Sequence, residues 1–481
     1  MKRAALLLAF LALAASATAQ PRRGAPAPDP TLRALADEVS QERLHATVER
    51  LVGFGTRHSL SVRDNPTRGI GAALNWAERE FRGISRACGG CLTIVRPSDT
   101  VTNRRIPSPT LVENVVAIQR GTSEPNRVIV ITGHIDSRVT DVMNATADAP
   151  GANDDGSGSA AVLEAARVLS QYRFPATIVY GLVSAEEQGL NGSEILARYA
   201  RAQGWQVEAN LNNDIIGNSC GSDGLCDDSH VRVLSEGVRR DATPELIAQQ
   251  RSLGGENDSP SRNLSRFVDT LAGQLSLGLD VRQIWRTDRF GRGGDHISFQ
   301  QLGFPAIRFS VAVENYNWQH QDLRTENGIV YGDTIDHMDF PYLRRVTQLN
   351  VATIAALARA PAPPAPAVEG AVSTDTNLQW GSVPGAVGYV VRWRRTDASQ
   401  WQHSLRLDAR RCGMGVQTNR GGVVIPNVDC GVHSERLRGV RVDDWVFGLS
   451  SVAADGSESP VASAVPGGAF VPWVPPAPGA Q

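Results

Sequence analysis

The stretch from Val128 to Gly158 constrains this chain more than any other. It opens VIVITGHIDSR and closes PGANDDGSG, so an uncharged β-branched run ends in His134 and Asp136, and a glycine-rich turn then presents Asp154 and Asp155. A short apolar run bounded by turn residues is the pattern of a central strand buried on both faces. An imidazole and a carboxylate at the tip of such a strand must pair with each other, meet water or bind a cation, because burying them alone is costly.

Strand-like and helix-like segments alternate around that run. Helical periodicity covers Thr31 to Leu51, Ile70 to Ile84, Gly158 to Tyr172, Leu190 to Ala202, Leu264 to Leu277 and Tyr342 to Arg359. Strand patterns cover Leu111 to Gln119, Val128 to Gly133, Ala176 to Ser184, Ala209 to Asp214, His230 to Leu234, Val281 to Trp285 and Ala306 to Val313. The alternation predicts an open α/β sheet sandwiched by helices. Ligands of such sheets bind beyond the carboxyl ends of the strands. Polar residues recur there: His134 and Asp136 after VIVITG, Glu186 and Glu187 after TIVYGLVSA, and Asp214 after NLNN.

The N-terminus reads as an export signal. Lys2 and Arg3 precede an apolar run from Ala4 to Ala15 and a small-residue exit, Ala17-Thr18-Ala19, and the run is too short to span a bilayer. The mature chain is expected to begin near Gln20, with no integral membrane segment left. Six cysteines in an exported chain fit disulfides. Local spacing favours Cys88 with Cys91, Cys220 with Cys226, and Cys412 with Cys430; a zinc ribbon is the rival at CGGC.

A formal charge of -2, from 48 basic and 50 acidic residues without a basic tract, offers nucleic acid no electrostatic footprint. The only lysine is Lys2, inside the segment expected to be removed. Schiff-base chemistry, Ser-Lys dyads and lysine-dependent phosphate loops are therefore excluded.

The ordered set HxD, GxNDDGSG, AEExGLxGS and NxD resembles the zinc-dependent exopeptidases of metallopeptidase family twenty-eight, over residues from about Leu51 to Arg359. The resemblance implies a mixed, mostly parallel sheet between helices and a pair of zinc ions. It implies His134 as a ligand of one zinc, oriented by Asp136, with Asp214 completing that site. Asp154 would bridge both metals, Glu187 would bind the second zinc, and Glu186 would be the general base. His320 in NYNWQHQD is the candidate for the last ligand, with His337 and His296 as competing imidazoles. His337 reads as a surface or capping residue. Asp295 and His296, in GGDHISFQQLGFPAIRF, match a stretch flanking the family's pocket.

Gln319 stands before His320 where the family often carries a carbonyl-polarising tyrosine, and Tyr316 lies nearby. A cis Asp154-Asp155 peptide bond is also implied. The chemistry would be attack by a hydroxide bridging two zincs about 3.5 to 4 Å apart, with Glu186 moving the proton to the leaving amine. Peptide or protein N-termini are the expected substrates, since Glu186 and Asp214 suit an ammonium group. Arg286, Arg289 and Arg292 would instead suit a carboxypeptidase, and a single-zinc glutaminyl cyclase is the other alternative within the fold. A serine hydrolase built on Ser157 or Ser159 lacks the GxSxG elbow.

The pattern changes beyond the Pro-rich stretch Ala360 to Gly370, where five of the nine tryptophans lie: Trp380, Trp393, Trp401, Trp445 and Trp473. NLQWGSV, AVGYVVRWRR and DWVFGLSSVAADG resemble a fibronectin type III sandwich with Trp380 and Tyr389 in its core. The expected organisation is a signal peptide over 1-19, a Pro-rich linker over 20-33, the zinc exopeptidase domain over 34-359, a second linker over 360-368, a fibronectin type III-like sandwich over 369-470 and a Pro-rich tail over 471-481. An extracellular binding or adhesion protein, using the aromatic surface of the C-terminal region, is the alternative from another functional class.

Overall fold

The computed structural model describes residues 29–410 and 431–474. The export signal and the Cys412 with Cys430 pairing lie outside them. Eight strands form one sheet, in the order Leu92–Val95, Val115–Gln119, Ala176–Val183, Glu124–His134, Gln206–Asn213, Ala306–Val311, His230–Leu234 and Asp280–Ile284. The four in the middle, from Ala176–Val183 to Ala306–Val311, run parallel, and antiparallel pairings occur toward both edges. The sheet is therefore mixed and mostly parallel, with helices on both faces.

The central run divides its side chains as a doubly covered strand must. Ile129 and Ile131 join the core cluster under the helices Gly156–Leu169 and Phe340–Arg359, while Val128 and Val130 join the opposite cluster with Leu196 and Phe299. All four valines and isoleucines are essentially inaccessible. The helix Gly156–Leu169 lies so close to the sheet that a Cβ on Gly158 would meet the Asn213 carbonyl at 2.2 Å, and one on Gly133 would meet the Gly158 carbonyl carbon at 2.6 Å. The glycines of the GSG turn are thus required by close approach.

Two expected elements are broken. Thr31 to Leu51 is not one helix but two, Pro30–Asp37 and Gln41–Val52. Ser40 caps the second by accepting from Arg43 N, while its own N–H donates to Glu164 Oε1 at 2.7 Å. The first helix begins at Pro30, within the stretch read as a linker. Leu111 to Gln119 is likewise divided at Asn114 between the hairpin Ser98–Asn103/Ile106–Glu113 and the large sheet. Buried Asn114 takes the Ser184 N–H and donates to the Gly192 carbonyl, which satisfies a chain that is changing sheets.

After Arg359, a three-stranded sheet (Ala367–Glu369, Thr376–Gly381, Val432–Leu437) faces a four-stranded one (His403–Asp408, Gly388–Arg395, Trp445–Val452, Ala462–Ser463). Leu378, Trp380 and Leu437 from the first sheet meet Tyr389, Val391 and Phe447 from the second, and Trp380 packs edge-on against Tyr389. Trp393 and Trp445 pack against this cluster, Arg394 lies over Trp401, and Trp473 is half-buried.

This unit is joined to the larger one through buried polar contacts. Arg394 Nη2 reaches both carboxylate oxygens of Asp258 at 2.7 Å, Ser463 Oγ donates to the same carboxylate at 2.7 Å, and Asn263 Nδ2 donates to Ser463 Oγ. The disulfides Cys88–Cys91 and Cys220–Cys226 are formed, which leaves CGGC no thiolates for a zinc ribbon. Among the described residues, no helix is long and apolar enough to cross a membrane.

Candidate active site

The parallel strands deliver their terminal residues to one edge of the sheet. Glu124–His134 ends in His134, the turn after Ala176–Val183 carries Glu186 and Glu187, and Gln206–Asn213 is followed by Asp214. Asp154 comes from the turn before the helix Gly156–Leu169, and its bond to Asp155 is cis. Asp155 caps that helix through Gly158 N and also accepts from His134 N at 2.9 Å, which fixes the turn to the strand end.

Two groups of possible metal ligands result: His134, Asp154 and Asp214, and Asp154, Glu187 and His320. They share Asp154. His134 Nε2 lies 3.1 Å from Asp154 Oδ1 and 4.0 Å from Asp214 Oδ1. His320 Nε2 lies 2.8 Å from Asp154 Oδ2 and 2.9 Å from Glu187 Oε1. Buried Asp154 Oδ1 and Glu187 Oε1 have no hydrogen bond of acceptable geometry although these imidazole nitrogens are near. Oxygen and imidazole donors that converge without satisfying one another fit a divalent cation held between them.

Asp136 ties two loops together. Its carboxylate accepts from Glu186 N at 3.3 Å and Glu187 N at 3.2 Å, and its Oδ1 lies 3.5 Å from His134 Nδ1, which also contacts the Asp136 carbonyl at 3.1 Å. Gln319 points inward, donating to Asp154 Oδ2 at 3.1 Å. Tyr316 lines the cleft but is largely exposed.

His296 and His337 belong to neither ligand group. His296 is buried against the Thr287 carbonyl at 2.7 Å, and His337 stacks on Trp318 with ring centroids 4.0 Å apart. Asp295 is buried at the start of the helix that carries His296, and burial pushes its carboxyl up to about 7. Ser157 Oγ donates to the Asn153 carbonyl and Ser159 Oγ to the His134 carbonyl, so neither faces an imidazole. Arg286 lies over Phe290, while Arg289 and Arg292 line the cleft and are both paired with Glu314.

Three supporting residues escaped the sequence reading. Asp333 accepts from Asn153 N at 2.9 Å and Asp154 N at 2.7 Å, fixing the backbone on which Asp154 stands. Arg138 reaches Glu187 Oε2 at 2.7 Å and His320 Nδ1 at 2.6 Å. Arg308, wholly buried, reaches Asp214 Oδ1 at 2.8 Å and Asp288 Oδ2 at 3.1 Å. Only Arg308 left a trace, as a charge inside the apolar run AIRFSV.

The electrostatics of the protein groups at the site follow from crowding. Burial opposes ionisation of Asp154, but His320 and His134 outweigh it and hold the carboxyl well below the usual range. Burial also works against a charged His320, yet Glu187 and Asp154 raise its pKa to about 9. The Glu186 carboxyl moves the other way: burial pushes it well up, with His134 opposing and Glu187 and Asp214 reinforcing. A carboxyl that resists ionisation beside a cluster of ligands is poised to accept and return a proton.

Peptidase family M28 matches residues 114–354. A probable zinc metalloprotease of Pyrenophora teres f. teres is 42% identical over 441 residues, covering 90% of this chain and 86% of that protein. Another from Pyricularia oryzae is 42% identical over 455 residues, covering 92% and 85% respectively. The LapA aminopeptidase of Legionella pneumophila has a similar fold, with a TM-score of 0.50 at 20% identity over 68% of this chain and 71% of that one.

Proposed function

The chain belongs to peptidase family M28 and is a zinc metallopeptidase, and from that premise we propose that it is an exported two-zinc aminopeptidase. The observation that carries this reading is the position of Asp154, common to two ligand groups in one cleft that Glu186 also lines. His134, Asp154 and Asp214 would hold one ion, and Asp154, Glu187 and His320 the other. Bound zinc supplies Lewis-acid polarisation of a carbonyl and acidifies water.

The protein's own groups do the rest. Glu186 takes a proton from the attacking water and returns it to the leaving amine. Asp136 holds the Glu186 and Glu187 amides and steadies His134. We take the aminopeptidase direction because Arg289 and Arg292, which would suit a substrate carboxylate terminus, are both already paired with Glu314, and Arg286 lies over Phe290. Export is supported by the signal-like N-terminus and by the two disulfides. The C-terminal sheets we assign to a fibronectin type III-like sandwich, which braces the peptidase unit through Asp258 and Arg394.

Metal analysis with leucyl peptides tests the reading. Wild type and Glu186→Ala are expected to carry two zinc ions each, with turnover falling by about 10²–10⁴-fold only in the variant. One zinc per chain, or a variant as active as wild type, would remove the mechanism.

A further inference from the structure

Four arginines line the cleft of about 680 Å³ that contains Glu186 and Glu187, and three of them are already matched to carboxylates. Arg138 pairs with Glu187, while Arg289 and Arg292 pair with Glu314. Arg105 is different. Among the described residues no carboxylate lies within ion-pair distance of its guanidinium, which donates from Nη1 to the Glu187 carbonyl at 2.7 Å. That contact places a guanidinium beside the chain that carries both glutamates.

The position is built. Arg105 sits at the tip of the hairpin Ser98–Asn103/Ile106–Glu113, where the Asn103 side chain accepts from Arg105 N at 2.7 Å and Ile106 N at 2.9 Å. The Asn103 amide then donates to the Gln188 carbonyl and to Asn191 Oδ1, both at 3.2 Å. The tip is thus fastened to the loop that follows Glu187, and Arg105 is held at the cleft wall. A guanidinium has five donors in a planar fork suited to a carboxylate. Most of that capacity is uncommitted here.

We propose that Arg105 is a specificity-determining residue that binds a substrate carboxylate lying beyond the scissile bond, so that the enzyme prefers peptides with an anionic group next to the released residue. This rests on the aminopeptidase reading above. Two sources offer the same chemistry: the C-terminus of a dipeptide, or an aspartate or glutamate side chain following the first residue. Because binding of this kind acts on ground state and transition state alike, it belongs in KM.

The experiment compares release of leucine from Leu-Ala, Leu-Ala-amide, Leu-Asp-amide and Leu-Asn-amide by wild type, Arg105→Gln and Arg105→Lys. Wild type is expected to prefer Leu-Ala over its amide if the C-terminus is the ligand, or Leu-Asp-amide over Leu-Asn-amide if the side chain is. Either preference should be about tenfold or more in kcat/KM, carried by KM. It should collapse toward one in Arg105→Gln and return in part in Arg105→Lys.

Equal loss on charged and neutral substrates, with the ratio unchanged, would mean that Arg105 only props the Glu187 loop, and would overturn the proposal. So would a wild type that shows neither preference. If leucine is released from none of the four, the aminopeptidase reading fails and the proposal falls with it, an outcome distinct from cleavage without discrimination.

Discussion

Replacing Arg394 with methionine should cost stability out of proportion to its distance from the cleft. Arg394 and Asp258 are each about 2% exposed, and the contact from Nη2 to both carboxylate oxygens crosses from the four-stranded sheet to the turn before the helix Pro260–Leu275. Removing one partner of a buried pair costs about 3–5 kcal/mol, because the remaining charge stays desolvated. Asp258 would keep Ser463 Oγ at 2.7 Å and Arg266 Nη1 at 3.7 Å, which places the expected loss near the low end, about 3 kcal/mol. Asp258→Asn should cost a similar amount, and the double variant should recover part of it, since neither lone charge is then left behind.

Urea unfolding followed by tryptophan fluorescence is the assay, at fixed zinc concentration. Trp401 stacks with Arg394 on one side of the junction, and Trp285 with Arg262 and Arg266 on the other, so both sides report. Wild type should give one transition that coincides with loss of peptidase activity. Two separated transitions, or an Arg394→Met loss below about 1 kcal/mol, a value expected of an exposed pair, would refute the view that the β unit braces the peptidase.

Asp333→Ala should weaken zinc binding by about 10–100-fold while leaving the proposed ligands in place, because the Asn153 and Asp154 amides lose their shared acceptor. Competition with a chelator measures it, and an unchanged affinity would disprove the role. A second expectation concerns pH. In the chelated protein burial opposes a charged His320, yet Glu187 and Asp154 raise its pKa from an ordinary 6.5 to about 9; protonation at Nδ1 also requires Arg138 Nη2, 2.6 Å away, to withdraw, which offsets part of the effect. The stabilisation from this charged imidazole is fully present below about pH 6.5 and is lost as pH rises through about 9. Thermal melting of chelated protein should therefore fall across that window, whereas zinc-loaded protein, whose imidazole carries metal in place of the proton, should not follow it. Parallel curves for the two forms would contradict the assignment of His320.

The proposed ligands His134, Glu187 and Asp214 were legible because each stands at or just past the end of an apolar run, and an open parallel sheet brings such ends together without further information. His320 had no such signal. It sits in a loop with a left-handed backbone, φ 56°, and only the family resemblance pointed to it. Asp333 and Arg138 were invisible for a different reason: one acts through two amides in a distant turn, the other across a gap between loops, and neither leaves a local pattern. The breaks at Ser40 and Asn114 were missed because hydrophobic periodicity continues through both, while the decisive contacts, to Glu164 and to Ser184 and Gly192, are far away in sequence.

Lys2 is the only lysine in the sequence, and this scarcity has a counterpart in the fold. Arg57, Arg262, Arg266, Arg308 and Arg394 are among the largest fully buried side chains. Arg57 donates to the carbonyls of Leu51, Ile135, Pro150 and Gly151, gathering the end of a helix, the segment after His134 and the approach to Asp154 around one guanidinium. Lysine could not replace it, because an ammonium has three donors on one atom and pays a larger desolvation cost than the delocalised cation. Arg308 similarly spans Asp214 and Asp288, and Arg394 meets both oxygens of Asp258. A fold that places this many carboxylates inside depends on cations that can be buried and can satisfy several acceptors at once, and arginine is the side chain with both properties.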